Sequence, residues 1–93
     1  MAPESYTHIE KYHGSNAPTG KGKFDNDVDY DELVDEAAKF APKKQTNGRC
    51  NRVCTLPDNR IIGKDQSGLP TNVYTVVTEE NGRVVTMHPG LPN

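Results

Sequence analysis

The sequence predicts an α+β domain, with N-terminal helices packed on a roughly four-stranded antiparallel sheet. Three observations predict it. An apolar stripe of helical period runs through the first half, Val- and Thr-rich runs fill the second, and Asn81-Gly82 stands between two of those runs as the strongest short hairpin signal. A chain of 93 residues is one domain's length. Hydrophobic residues are 32% of it and Trp is missing, so the core is small but feasible without many staples. No apolar run reaches the roughly 20 residues of a membrane-spanning helix. No basic-then-apolar leader follows Met1, so none is expected. Two cysteines are too few for a disulfide-dense scaffold. Membrane-spanning, fibrous and knottin classes are thereby excluded.

Element by element, residues 5–13 read as a short helix, because Thr7 and Glu10 have capping-box spacing. Residues 14–24 read as a Gly/Lys loop, since Gly14 to Gly22 is too rich in Gly, Ser and Pro for regular structure. A helix is predicted over 29–41. Asp29 caps it, Glu32 follows three residues later, and acids fill the first turn, where the helix dipole favours them. Its stripe is Tyr30, Leu33, Val34, Ala37 and Ala41, and Pro42 ends it. After a loop to Gly48, strands are predicted at Arg49 to Leu56 and Arg60 to Lys64, joined by the turn Pro57-Asp58-Asn59. Residues 65–70 are a loop. Strands at Thr71 to Glu79 and Arg83 to His88 complete a sheet spanning 49–88, before a Pro-rich tail.

The net charge of −2 hides an uneven layout. Asp25, Asp27, Asp29, Asp31, Glu32, Asp35 and Glu36 form a block without a base. From Lys39 to Lys64, seven bases stand against the single acid Asp58. A basic block can bind an anion; an acidic one can meet a basic partner, or both can be solvated surface.

A two-residue turn at Asn81-Gly82 would place Thr78 opposite Val85, Val76 opposite Met87 and Thr75 opposite His88. One face then carries Tyr74, Val76, Thr78, Val85 and Met87, the better surface for the 29–41 helix. The other carries Val73, Thr75, Val77, Val84, Thr86 and His88. There a hydroxyl pair meets an imidazole, a grouping able to hold a phosphate and move a proton, or else ordinary strand surface.

His8 to Gly14 (H-I-E-K-Y-H-G), the Gly/Lys loop into Phe24 and the acidic helix together resemble the opening of bacterial polymorphic-toxin domains. Val76 to Pro92 (V-V-T-E-E-N-G-R-V-V-T-M-H-P-G-L-P) looks like their closing hairpin. These are the toxic C-terminal modules of CdiA-type contact-dependent inhibition and Rhs proteins, similar in outline to the barnase, EndoU, colicin D and RelE group. The resemblance implies a metal-independent ribonuclease that often acts on tRNA, uses no cofactor, and is neutralised by an immunity protein in its own cell. It also implies delivery from a cell-surface or secreted toxin into a target bacterium's cytoplasm, and in some relatives a host translation-factor activator.

Cleavage of RNA without metal needs a base to take the 2′-hydroxyl proton, an acid to protonate the leaving 5′-oxygen, and cations on the phosphoryl oxygens. Imidazole is best placed for both proton transfers near neutral pH. His88 leads the candidates, followed by His8 and His13. The last two stand about 140° apart around an ideal helix, so both face one site only if the helix stops before His13. Thr86 would orient the phosphate or His88. Lys21 and Lys23 in the Gly-rich loop, Arg49, Arg52 and Thr75 are the substrate-binding candidates. Arg49 and Arg52 fall on opposite faces of a regular strand, so at most one serves the site. No metal ligand is assigned. Cys50-x3-Cys54 with His8-x4-His13 has zinc-like intervals, but in the reverse of the usual order. A regular strand would hold the two cysteines about 13 Å apart, beyond disulfide reach. The rival function is a non-catalytic protein-binding module using the acidic helix.

Overall fold

The computed structural model of the chain describes Ile9 and residues 22–92. Its elements run β1 (Lys23–Phe24), α1 (Tyr30–Ala37), β2 (Lys43–Lys44), β3 (Cys50–Thr55), β4 (Gly63–Lys64), β5 (Pro70–Thr71), β6 (Val73–Thr78) and β7 (Val84–Pro89). The class is α+β, with two antiparallel sheets: β2-β3-β6-β7, and the smaller β1-β4-β5. Among the described residues there is one helix, not several. The expected 5–13 helix lies outside them except for Ile9, which is fully buried in the core.

Asp29 caps α1 as its side chain accepts the Asp31 amide at 3.0 Å. Tyr30, Leu33 and Ala37 turn inward and Val34 packs beside them, so the stripe is where the spacing put it. The helix stops four residues before its expected end. Its last carbonyls are taken by the tighter turn bonds from Lys39 N to Glu36 O and Phe40 N to Ala37 O, and Phe40 swings back against the core. Ala41, counted in the stripe, is exposed outside it.

The three hairpins among the described residues close with the same chemistry. In Gln45–Arg49, Asp65–Leu69 and Glu79–Arg83 the first amide bonds the fifth residue's carbonyl, and the fourth residue's amide bonds the first carbonyl. That fourth residue is Gly48, Gly68 or Gly82, each at positive φ. This is a three-residue loop, a type I turn closed by a left-handed glycine. The stretches 42–48 and 65–70, expected as plain loops, are therefore mostly hairpin, and Lys23–Phe24 is a strand where loop was expected.

The longer loop also corrects the register. Thr78 faces Val84, not Val85, while Val77 still faces Thr86 and Thr75 faces His88, so a bulge absorbs one residue. Val84 is consequently the buried valine and Val85 is half-exposed. The Arg60 to Lys64 segment does not join β3. The turn after Leu56, where Asn59 takes φ 55°, leads the chain away, and β4 pairs instead with β1 and β5. The vacated edge of the large sheet is taken by β2.

The core lies between α1 and the large sheet. The Tyr74 hydroxyl donates to the Leu33 carbonyl at 2.7 Å, tying β6 to the helix. Its neighbour Cys54 faces it across β3 and β6. Burial pushes the Cys54 thiol up from 9.0 to about 11, opposed only in part by the Arg52 charge and a Tyr74 hydrogen bond. Burial, then the charges of Cys54, Glu36 and Glu32 and the Cys54 hydrogen bond, pushes the Tyr74 phenol well up too. Both groups are held neutral by folding. Their stabilisation is complete below their unfolded values and is lost as pH climbs from about 9 through the folded Cys54 value of about 11. Urea midpoints should therefore stay flat to about pH 9 and then fall, less steeply in Cys54→Ser or Tyr74→Phe. An equal fall in both variants would contradict this assignment.

A Cβ at Gly63 would run into the Lys23 carbonyl oxygen and sit 2.8 Å from the Phe24 Cα. Gly63→Ala should thus cost about 1–3 kcal/mol in urea unfolding, with β1 displaced from β4. At Gly68 no atom stands within 4 Å, so Gly68→Ala carries only its positive-φ strain and should be the milder change.

Candidate functional site

The sheet sorts the predicted residues onto two sides. Arg52 opposes Val76 and shares the helix-facing side with Cys54 and Tyr74. Its Nε donates to Phe40 O at 3.2 Å and its Nη1 to Thr78 Oγ1 at 3.1 Å. Thr75, Thr86 and His88 occupy the opposite side by alternation, so Arg52 is not with them. Arg49 is exposed, one residue before β3, near the hairpin end of β6. That is about 13 Å along the sheet from the level of His88, at roughly 3.3 Å per residue. Neither arginine stands beside the imidazole.

His88 is half-buried directly opposite Thr75. Its Nδ1 lies 3.2 Å from the Pro89 carbonyl oxygen. A carbonyl only accepts, so Nδ1 carries the hydrogen in that contact and Nε2 carries the lone pair of the neutral ring. Thr75 is fully buried, and its hydroxyl donates to Gly90 O at 2.8 Å, which places it in the support of the strand end. The Thr86 hydroxyl oxygen is buried with no hydrogen-bond partner among the described residues. His8, His13 and Lys21 lie outside the described residues.

Two cations of the small sheet flank the strand end that bears His88. Gly22 (φ +74°) passes so closely that a Cβ there would meet Lys64 O at 3.3 Å and Pro89 O at 3.4 Å. This backbone crossing sets β1 and β4 against the end of β7. Lys23 and Lys64 are register partners, so their side chains leave the same face directly opposite each other. Neither is in an ion pair among the described residues. Beside them is a hollow of about 400 Å³ lined by Gly22, both lysines and residues 65–68 of the β4-β5 turn. Asp65 is committed to that turn, its Oδ1 accepting the Ser67 and Leu69 amides. On the other flank a second hollow is lined by Asp25, Asn26 and Asp27.

Lys64 was missed by the sequence reading. Its signal was the Ser67-Gly68 step, which closes a hairpin as Asn81-Gly82 does and pairs Lys64 with Pro70. Of the six other bases of the block, three are neutralised: Lys39 pairs with Glu36, Lys44 with Glu80, and Arg60 with Glu32 and Asp58. Among the described residues no three His, Cys, Asp or Glu side chains gather as a metal site, and no helix is long and apolar enough to cross a membrane.

Compared with known protein families, curated proteins and solved structures, the chain matches none.

Cys50 and Cys54 are both free thiols, the first half-buried and the second buried. A thiol raised to about 11 has roughly 100-fold less thiolate near neutrality than one left at 9.0. Iodoacetamide should accordingly label Cys50 well before Cys54 in the folded protein, as read by peptide mass mapping. Simultaneous labelling would show that β3 opens.

Proposed function

We propose that the chain is a metal-independent endoribonuclease that cleaves tRNA or a similar RNA by attack of a 2′-hydroxyl on the adjacent phosphorus. The observation that carries this reading is the Lys23–Lys64 pair, without a carboxylate partner among the described residues, set beside the strand end that bears His88. Like charges directly opposite each other across strands repel, and a phosphate between them removes that repulsion. His88 serves as one proton-transfer group through Nε2, and His8 or His13 supplies the other. Thr86 brings a buried hydroxyl with hydrogen-bonding capacity to spare. Under this reading the module travels as part of a larger toxin into a target bacterium, and an immunity protein covers the site in the producing cell. A binding module built on the acidic helix is less favoured, because Glu32 and Glu36 already pair with Arg60 and Lys39.

Purified protein incubated with total tRNA in EDTA should yield discrete fragments ending in 2′,3′-cyclic phosphate. His88→Ala should lower the rate by about 10²- to 10⁴-fold. Lys23→Ala and Lys64→Ala should each weaken RNA binding and reduce the slope of log affinity against log salt by about 0.7. Intact tRNA at high protein concentration, with and without cell extract as a source of activator, would refute the reading.

A further inference from the structure

Among the described residues, Arg52 is the one half-buried cation that the proposed reaction leaves unused. It sits beneath α1, on the far side of the large sheet from His88. A guanidinium has five N–H donors, and here Nε and Nη1 each spend one, on Phe40 O and Thr78 Oγ1. No carboxylate pairs with it among the described residues. The glutamates of the adjoining elements are engaged elsewhere: Glu36 with Lys39 at 2.9 Å, Glu79 with Arg83 at 3.3 Å, and Glu80 with Lys44 at 2.8 Å. Arginine cannot relieve the cost of desolvation by losing its proton, so the charge persists without a counter-ion.

The group borders a cavity of about 140 Å³ whose apolar walls are Val34, Ala37, Ala38, Val76 and Val84. We propose that this cavity binds a carboxylate carrying a short aliphatic stem. The carboxylate takes the remaining guanidinium donors, with bidentate geometry available to it, and the stem lies against the valines and alanines. The volume equals about four or five waters at roughly 30 Å³ each, which suits a four-carbon acid better than a nucleotide. A phosphate fits the chemistry less well, because its outer oxygens would face aliphatic walls without partners. The source of the carboxylate is either a free acid or the C-terminus of a peptide. This site is separate from the lysine pair and does not depend on the ribonuclease reading.

The test is a methyl NMR titration of the full chain with butyrate, as the free acid, and with N-acetylalanine, as a peptide terminus. At least one should shift the Val34, Val76 and Val84 methyls saturably, with a dissociation constant on the order of millimolar. Saturation by butyrate alone identifies the free acid, and by N-acetylalanine alone the chain terminus; either supports the site. Arg52→Gln should weaken binding by about tenfold or more, through loss of the charge-assisted pair. Because that variant removes two internal hydrogen bonds, Ala38→Leu provides the second arm. It fills the mouth from an exposed position, leaves Arg52 in place, and should abolish the shifts. Equal shifts with 1-butanol, equal affinity for inorganic phosphate, unmoved methyls, or persistence of the shifts in Ala38→Leu would each overturn the proposal.

Discussion

Backbone approaches backbone closely at two glycines: inside the small sheet at Gly63, where no side chain fits, and between the two sheets at Gly22. Gly63 lies against the Lys23 carbonyl and Phe24 Cα, and Gly22 passes between the carbonyls of Lys64 and Pro89. Everything at the candidate site follows from that approach. Phe24 is buried and its ring packs on Tyr30 at 5.4 Å, and Ile62 is buried from the other strand. With Phe24 and its register partner Gly63 inward, alternation sends Lys23 and Lys64 outward together. The lysines stand opposite each other because the hydrophobic pattern leaves them no other place. Their repulsion, a few tenths of a kcal/mol to about 1 kcal/mol, is small beside the burial of a Phe or an Ile.

The same logic shows which parts of the fold could be read in the residues. The start of α1 was legible because Asp29 makes a local bond to its own turn. Its end was not. Pro42 marks the last position a helix could reach, but the chain leaves earlier because Phe40 is worth more against the core than in another helical turn. The β6-β7 hairpin was legible from Asn81-Gly82, though its loop length was not. Both loop types accept glycine at φ > 0, and the choice of three residues moved Val84 inward in place of Val85.

Sheet membership was the least legible feature. Arg60 to Lys64 carries two adjacent isoleucines after a turn signal, and nothing local says which neighbour it pairs with. That is decided by the Pro57-Asp58-Asn59 turn, which aims the chain away from β3, and by the Gly63 gap that only β1 fills. The chain then returns through Thr71, whose hydroxyl accepts the Val73 amide at 3.0 Å where the strand bends from the small sheet into the large one. Of the candidate site, His88 and its pairing with Thr75 were legible from hairpin arithmetic. Lys64 was not, since its partner lies 41 residues away in β1.

Charge is distributed in a way that separates two kinds of binding. Lys39, Lys44, Arg60 and Arg83 are held in exposed ion pairs, each worth at most about 1 kcal/mol and screened by salt. Of the described cations left over, three border hollows and differ in kind. Lys23 and Lys64 project beside broad hollows, where water softens their repulsion and an extended polyanion has room to lie across both. Arg52 is half-buried beside a small hollow walled largely by valine and alanine, which suits a small anion with an apolar body. The lysines and Arg52 line different hollows. A chain this small keeps a charge half-buried at a standing cost, and a counter-ion from outside the fold is the arrangement that relieves it.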